Sequence, residues 1–588
     1  MFLKLLTSGV SRKIIGLVLG FCALILNLYS FYFHSIIDFT APTNEAFIAT
    51  LTWLISLILL GISIFILSPS RKTEGNGNNS LTLIEKFFLS IILIFGLILR
   101  IYKLNHLGLY LDEWYWLTNA RGILDGIIRS PFGFIGDQPS NMPAYIVALF
   151  LAIFKNSYLA VRLPGVLYSL LNMILIFSFL KEAFNKRIAL TAALLLSTSI
   201  WDIHMSQLGW NNVNLNPFLI SGTLYFLYMG IKNLSPKCIF FCGIFLGISV
   251  NLLYVASLAS IATVAYFTFH LVLNKHRRVI FYLFLLLSLT IFLMTSPTVI
   301  KINKYPRQSI ARHRDFISQN IVNSKNQSVI NYYFEQLKLG LTDFEYKQEK
   351  FNIVGLWGVT LEPFVFLFFL MGLTYTFLRI AMPQYFLIIA NYIIMFIPIV
   401  ILYRFTSAWR EFGFLPTIYI TASIGIYASH KLISRFIRFF TSRRQKMHEN
   451  LIFVIIVAAY FASWYYFYSR YYDNHLKKEP DVYETYCKKI ANDIAEKAPP
   501  KTLILLPDEI CKNLIMISLW NLYSYKGYRD GLSLRHLIQE NKHGLIVKIL
   551  NGYTSSFDDK DLEYKGHKIF DKLVLQNNDI IYAYIYKF

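Results

Sequence analysis

Long apolar runs alternate with short polar stretches along most of this chain. A helix needs about 20 apolar residues to cross the hydrocarbon core of a bilayer, and most of the runs approach that length. Inside lipid, every backbone amide must be paired within the protein, which favours helices. A membrane β-barrel would instead show short segments of alternating polarity. The pattern therefore predicts a polytopic membrane protein built from α-helices.

The apolar runs predict about thirteen membrane spans, an odd number that places the two termini on opposite sides of the membrane. Two of them lie within 238–273, where no polar loop separates one from the other. The predicted spans cover residues 14–33, 47–68, 83–101, 162–180, 188–204, 213–231, 238–254, 256–273, 279–296, 355–379, 385–403, 412–430 and 450–468.

The spans and loops divide the chain into three parts. Residues 1–82 contain two leading spans and a polar linker, and the first apolar run is too long for a signal peptide. Residues 83–469 form the membrane core, with long loops at 102–161 and 297–354. Residues 470–588 alternate strand-like and helix-like segments, which predicts a small α/β domain. The expected fold class is an all-α polytopic membrane protein with a small C-terminal α/β domain.

Within the C-terminal part, Thr502–Leu506 and Ile580–Tyr586 are predicted strands, and Glu509–Tyr525 is a predicted helix. Cys487 and Cys511 also lie there. They would be able to pair if this part lies in an oxidising compartment, and both outcomes remain open.

The charges favour one orientation in the membrane. Only 15% of the residues are charged, and the net charge is +22. In a soluble protein this excess would suggest nucleic acid, but here Lys and Arg gather in loops beside spans, where they fix orientation. One alternate set of loops, including Lys275–Arg278, is short and basic and is placed in the cytoplasm. Both long loops and the C-terminal part then face outward.

An acidic pair, Asp112 and Glu113, opens the first long loop among aromatic residues. Ionisable groups near the membrane are candidates for function because they are costly to keep there. A carboxylate in this setting suits a general base. The alternative is structural: Asp112 caps a helix and Glu113 favours its dipole. The residues alone leave both interpretations open.

A basic cluster at the start of the second long loop opposes the orientation rule and so needs a reason. Guanidinium groups bind phosphate in a bidentate way, which suggests a lipid-linked phosphate or pyrophosphate. Contact with anionic lipid headgroups is the alternative. The cluster comprises Lys301, Lys304, Arg307, Arg312, His313 and Arg314.

Two arginines, Arg404 and Arg410, lie in a short outward turn. A pairing of Arg410 with Glu411 or Asp112 would be structural, whereas contact with a leaving phosphate would be functional.

Three further residues are weaker candidates. Asp137 lies in a turn-forming Asp-Gln-Pro sequence. Arg162 begins a span, where snorkelling of its side chain to the interface is a sufficient explanation. His204 ends a span on the outward side, where a lone histidine is more often an interface residue than a ligand.

The order of the motifs carries more information than any one of them. It resembles the bacterial branch of the dolichyl-phosphate-mannose–protein mannosyltransferase family, which is glycosyltransferase family 39-like and shares a superfamily with the lipid A aminoarabinose transferases. The resemblance spans about residues 83–230. The motifs are Leu111-Asp112-Glu113, Asp137-Gln138-Pro139, Pro143-Ala144-Tyr145, Ala160–Gly165, Phe184–Arg187 and Ser206–Trp210.

The resemblance implies a GT-C fold glycosyltransferase in the bacterial cytoplasmic (inner) membrane, with its active site on the periplasmic face. It implies a polyprenyl-phosphate sugar donor and inversion at the anomeric carbon. Asp112 corresponds to the catalytic acid/base, and Glu113 is its orienting neighbour in the catalytic motif. Donor phosphate-binding residues are assigned as Arg307, Arg312, Arg404 and Arg410, and substrate-positioning residues as Asp137, Arg162 and His204.

Many relatives carry a further acidic residue where this chain has Gln207–Asn212, and Asp202 lies on the wrong side of Ser206. A mechanism with two carboxylates or a metal is therefore in doubt, and no cofactor is required. The expected partners are the donor, membrane lipids and a glycolipid, polysaccharide or protein acceptor, with no nucleic acid; a monomer is expected.

The alternative functions are an oligosaccharyl transferase that uses a pyrophosphate-linked glycan and a transporter or flippase of lipid-linked sugars.

Overall fold

The structure is a computed structural model of the chain. It describes residues 9–37, 43–68, 81–104, 111–133, 140–252, 255–306, 331, 334, 361–402, 411–440, 445–477, 494, 503–507, 524–528, 545–549, 571–577 and 580–587.

Helices account for most of the described residues before position 478. In chain order they are α1 (Gly9–Ile36), α2 (Asn44–Leu67), α3 (Leu83–Ile101), α4 (Leu111–Leu124), α5 (Met142–Phe154), α6 (Ser157–Ala183), α7 (Lys186–Ser197), α8 (Ile200–Gln207), α9 (Asn211–Lys232), α10 (Pro236–Leu252), α11 (Ala259–Leu273), α12 (Arg277–Lys304), α13 (Pro363–Phe377), α14 (Pro383–Leu402), α15 (Leu415–Phe440) and α16 (Gln445–Lys477). Single turns of 3₁₀-helix lie at Val255–Leu258 and Glu411–Phe414.

The protein is a multi-pass membrane protein. In the described part of the chain, 7 helices are long and apolar enough to span a bilayer, and a bent pair raises the number to 8. This is fewer than the about thirteen spans that the apolar runs predict. The predicted span at 188–204 is broken into α7 and α8, which meet at 54°. The predicted spans at 238–254 and 355–379 correspond to α10 and α13, which are apolar helices of 17 and 15 residues.

The buried core includes α6 and α9, which pack against each other. The break between α7 and α8 lies in this core. Trp464 of α16 donates to the Thr198 carbonyl at 2.7 Å, and Tyr419 of α15 donates to Ser199 Oγ at 2.6 Å. A helix break frees backbone groups that must find partners inside the membrane. Trp464 provides one such partner here, and Tyr419 binds a side-chain hydroxyl at the same break.

Helices α13 and α15 approach each other backbone to backbone. A Cβ atom added at Gly372 would lie 1.8 Å from the Thr421 carbonyl oxygen, and one at Gly425 would lie 1.9 Å from the Phe368 carbonyl oxygen. Small residues allow this close packing in membranes, where lipid gives no hydrophobic drive between helices.

The C-terminal part contains a five-stranded sheet with strand order β2-β1-β3-β5-β4. The pairs β1–β2 and β1–β3 are parallel, whereas β3–β5 and β4–β5 are antiparallel. The strands are β1 (Leu503–Pro507), β2 (Ser524–Tyr528), β3 (Leu545–Ile549), β4 (Asp571–Asn577) and β5 (Ile580–Lys587).

Two of these strands, β1 and β5, overlap the strands that the sequence predicts. Ser524 and Tyr525, predicted as the end of a helix, instead begin β2. The rest of that predicted helix, 509–523, lies outside the described residues, as do Cys487 and Cys511.

We expect Gly425→Ala to destabilise the protein, because the new methyl group meets backbone atoms that cannot rotate away. Overpacking of this kind costs about 1–3 kcal/mol. Thermal unfolding of purified protein in detergent measures the effect. Gly61→Ala is the matched control, since its Cβ would meet only the Phe240 ring at 3.1 Å. Equal unfolding temperatures for the Gly425 variant and the wild type would contradict the backbone contact.

Candidate active site

The acidic pair lies in the first turn of α4, which begins at Leu111. The interpretation of Asp112 as the helix cap is therefore wrong, because Asp112 is already the second residue of the helix. The two carboxylates have different surroundings. Asp112 is partly exposed, whereas Glu113 is completely buried.

Glu113 forms a buried, bidentate ion pair with Arg162 of α6. Arg162 Nε donates to Oε1 at 2.7 Å, and Nη2 donates to Oε2 at 2.9 Å. The remaining Nη1 donates to the Leu104 carbonyl at 2.7 Å, and the backbone N–H of Gly209 donates to Glu113 Oε1 at 2.8 Å. Such pairing and hydrogen bonding are what a buried charge requires. We refer to Glu113, Arg162 and Gly209 as the clamp.

The clamp changes the interpretation of Arg162. Its side chain is 1% exposed and points into the protein. Snorkelling to the interface is therefore the wrong explanation of this arginine. A substrate-positioning role for Arg162 stays a prediction, and the contacts indicate that it would act through Glu113.

Gly209 is a glycine because the clamp leaves no room for a side chain. A Cβ atom at this position would lie 2.9 Å from Glu113 Oε1 and 2.7 Å from Val161 Cγ2. Both neighbours are held in place, so neither is able to give way. The glycine thus allows the backbone to approach the carboxylate.

Gln207, two residues earlier, holds the end of α3. Its side-chain amide donates to the carbonyls of Leu99, Arg100 and Tyr102 at 3.3, 3.2 and 3.0 Å. The last carbonyls of a helix lack partners within that helix. Gln207 supplies one donor group to three of them, and so fixes the point at which the chain leaves α3 toward Asp112.

A second buried ion pair joins α3 to α8, the helix that ends at Gln207. Arg100 Nη2 and Asp202 Oδ2 are 2.6 Å apart, and Ser169 Oγ donates to the same oxygen at 2.6 Å. Arg100 also donates to the carbonyls of Leu196 and Ser197 at 2.9 and 3.0 Å, which end α7. Asp202 is therefore engaged in holding the helix break. Its position gives no support to a second catalytic carboxylate.

Helix α8 and the turn after it consequently bind both the end of α3 and the start of α4. Asp202 and Gln207 bind the end of α3, and Gly209 binds Glu113 at the start of α4. Asp112 directly precedes Glu113 in this first turn of α4. Of the acidic pair, it is the carboxylate with solvent-accessible surface.

His204 lies in the helical core. It is 1% exposed, and its Nδ1 lies 2.7 Å from the hydroxyl of Tyr471 in α16, with the rings edge to face. Its substrate-positioning role remains a prediction.

Five of the predicted site residues lie outside the described residues. They are Asp137, Arg307, Arg312, Arg404 and Arg410. Two other members of the basic cluster are described, and both bind protein carbonyls. Lys301 donates to Phe132 at 2.9 Å, and Lys304 donates to Ile37 at 2.8 Å.

Sequence reasoning assigned no role to Arg100, Gln207 or Gly209. The segment Ser206–Trp210 was recognised as a motif, but a motif does not indicate which backbone group meets which side chain. The available signal is the spacing of these residues. Gln207 is the last residue of the short helix that carries Asp202, and Gly209 lies two residues further on. Within the described ranges, no group of three or more His, Cys, Asp or Glu side chains is arranged to hold a metal ion.

Comparison with known proteins gives matches in sequence and in fold. Residues 137–300 match the family described as dolichyl-phosphate-mannose-protein mannosyltransferase. No curated protein matches the sequence significantly.

Among solved structures, the fold is similar to that of ArnT from Cupriavidus metallidurans bound to undecaprenyl phosphate. The TM-score is 0.51 and the identity 14%, over 86% of this chain and 98% of that one. The archaeal oligosaccharyltransferase AglB from Archaeoglobus fulgidus, in complex with an inhibitory peptide and a dolichol-phosphate, gives a TM-score of 0.47 at 13% identity. That comparison covers 79% of this chain and 69% of AglB.

The family match contains Arg162, Asp202, Gln207 and Gly209, which hold the segment of Asp112. The resemblance predicted from the order of motifs is therefore confirmed. This chain resembles the GT-C fold glycosyltransferases of the dolichyl-phosphate-mannose–protein mannosyltransferase superfamily.

Proposed function

We propose that this protein transfers a sugar from a polyprenyl-phosphate-linked donor to an acceptor on the periplasmic face of the bacterial inner membrane. The observation that carries the proposal is the clamp. It buries Glu113 completely and holds the first turn of α4, in which the adjacent Asp112 is partly exposed. A partly exposed carboxylate on a fixed helix turn suits a general base, and the sequence resemblance assigns the acid/base role to Asp112. ArnT, whose fold is similar, has a structure bound to undecaprenyl phosphate, a lipid of the class that the proposed reaction releases.

In the proposed reaction, Asp112 takes the proton of the acceptor as the acceptor atom attacks the anomeric carbon. The bond from that carbon to the phosphate oxygen breaks on the opposite face, which inverts the centre and releases polyprenyl phosphate. General base catalysis of this kind contributes typically about 10²–10⁴ in rate. Positive charge near the departing phosphate would stabilise the transition state. Arg307, Arg312, Arg404 and Arg410 are proposed for that role, and Asp137 and His204 for positioning of the substrates.

The direct test is transfer in vitro by purified protein. A radiolabelled polyprenyl-phosphate sugar is supplied with envelope lipids or glycans as acceptors, with and without chelator. We expect labelled acceptor and free polyprenyl phosphate to form together. Transfer only from a pyrophosphate-linked glycan would favour the oligosaccharyl transferase instead. Movement of the labelled lipid across proteoliposome membranes without any transfer would favour a transporter.

We expect Asp112→Asn to lower the transfer rate by at least about 10²-fold, because the amide accepts no proton. The amount of folded protein should not change, since Asp112 is not one of the three residues of the clamp. Asp125→Asn is the matched control: Asp125 lies just after the same helix, is 46% exposed and pairs only with Arg121 in the described surroundings. An Asp112 variant with wild-type transfer would remove this residue from the mechanism.

The clamp predicts separate effects on stability and on activity. Glu113→Gln leaves the Arg162 charge buried without its counter-ion, which costs about 3–5 kcal/mol of stability. Adding Arg162→Met removes that charge, and we expect much of the stability to return. The amide oxygen that Glu113→Gln introduces at position 113 still accepts from the Gly209 N–H. Transfer should stay low in the double variant, because the two hydrogen bonds from Arg162 that hold the first turn of α4 are lost. Thermal unfolding and initial rates measure the two effects, and full transfer by the double variant would contradict the positioning role.

A further inference from the structure

The two leading helices, α1 and α2, lie before the region that matches the family, residues 137–300. They pack on each other as a hairpin and rest against α12. We call them the N-terminal hairpin. Several polar and aromatic contacts of this hairpin point toward the segment that connects α4 to α5.

The hairpin supplies hydrogen bonds that α12 needs. Pro297 has no N–H, so the Leu293 carbonyl one turn earlier loses its helical donor. Trp53 Nε1 donates to this carbonyl at 3.0 Å, and Asn27 Nδ2 donates at 3.3 Å. Ser296 Oγ lies 3.1 Å from the same carbonyl and 3.2 Å from Asn27 Oδ1. An exposed carbonyl is unfavourable in lipid, so this contact fixes the hairpin at one position along α12.

Phe132, in the connection between α4 and α5, is buried in a pocket made by the hairpin and α12. Its ring is completely buried and meets Trp53 and His34 edge to face, at centroid distances of 4.9 and 5.5 Å. Its carbonyl accepts from the buried Lys301 Nζ at 2.9 Å. Trp53 therefore binds both the freed carbonyl of α12 and the Phe132 ring.

Two more bonds join the same three elements. Lys304, in the last turn of α12, donates to the carbonyl of Ile37 at the end of α1. Arg129, three residues before Phe132, donates to Asn44 Oδ1 at the start of α2. The contact thus involves the hairpin, the end of α12 and residues 129–132.

The connection that carries Phe132 leads directly from α4, the helix that bears Asp112. Helix α4 has 14 residues and is therefore about 21 Å long. The clamp holds its first turn, and the contacts of residues 129–132 hold the chain beyond its last turn. A helix moves as a nearly rigid rod, so release of the far end would tilt α4 and displace the carboxylate at its start.

We propose that the N-terminal hairpin is a positioning element of the active site, in which Phe132 and Lys301 transmit its position to α4 and so to Asp112. This inference rests on the proposed function of Asp112. It gives the two leading helices a role other than anchoring in the membrane, since an anchor alone needs no contact with residues 129–132.

The test uses the full-length chain with Phe132→Ala, Lys301→Met and Trp53→Phe, the last of which keeps an aromatic ring but lacks the N–H donor. We expect kcat for sugar transfer to fall by about 10- to 100-fold with a smaller change in KM, as for a misplaced catalytic group. Hydrogen exchange at the amides of residues 111–124 should become faster. Lys301→Arg, which keeps a donor, should recover part of the rate.

The matched controls are Phe88→Ala and Lys86→Met on the exposed surface of α3, which should behave as wild type. Wild-type transfer and wild-type exchange in Phe132→Ala and Lys301→Met would overturn the proposal, as would equal loss in the controls. If the wild-type protein transfers no sugar, the proposed function fails. The exchange of residues 111–124 then still decides whether the hairpin holds α4.

Discussion

The ion pair between Glu113 and Arg162 is the interaction on which the candidate site depends. Two opposite charges inside a helical membrane protein are tolerated only when geometry and hydrogen bonding are nearly complete. The bidentate contact, the Leu104 carbonyl and the Gly209 amide meet that demand. Because every partner belongs to a different segment of the chain, the charge pair fixes the relative position of α4, α6 and the turn after α8. Because Asp112 directly precedes Glu113 in α4, this arrangement also sets the position of Asp112.

A common principle links the clamp to its surroundings: polar groups freed by a break in a helix are used as attachment points. The ends of α3 and α7 present carbonyls to Gln207 and Arg100. Pro297 frees the Leu293 carbonyl for Trp53 and Asn27. In water such groups would bind solvent and would not determine how the helices pack. In a membrane they must be satisfied by protein, so each irregularity selects a specific partner.

The sequence predicts the class of the protein well, because apolar length is a local property that lipid imposes directly. It also identifies Asp112 and Glu113 as a pair through their place in a motif. It does not separate them, because burial depends on Arg162 and Gly209, which lie 49 and 96 residues away from Glu113. For the same reason charge alone places Lys301 in a basic cluster expected to meet phosphate or lipid headgroups, whereas its side chain donates to a carbonyl 169 residues earlier. The break between α7 and α8 also escapes hydropathy, since the two helices taken together are apolar enough for one span.

The proline of α12 has a consequence for how the protein is made. Trp53 and the Leu293 carbonyl are 240 residues apart in sequence. At about 5–20 residues per second, a ribosome needs about 10 to 50 seconds to cover that distance. The hairpin is therefore synthesised well before α12. The Trp53 N–H donor is then available when the Leu293 carbonyl enters the bilayer. In the reverse order, α12 would enter lipid with an unsatisfied carbonyl, so the order of the hairpin before α12 suits membrane insertion during synthesis.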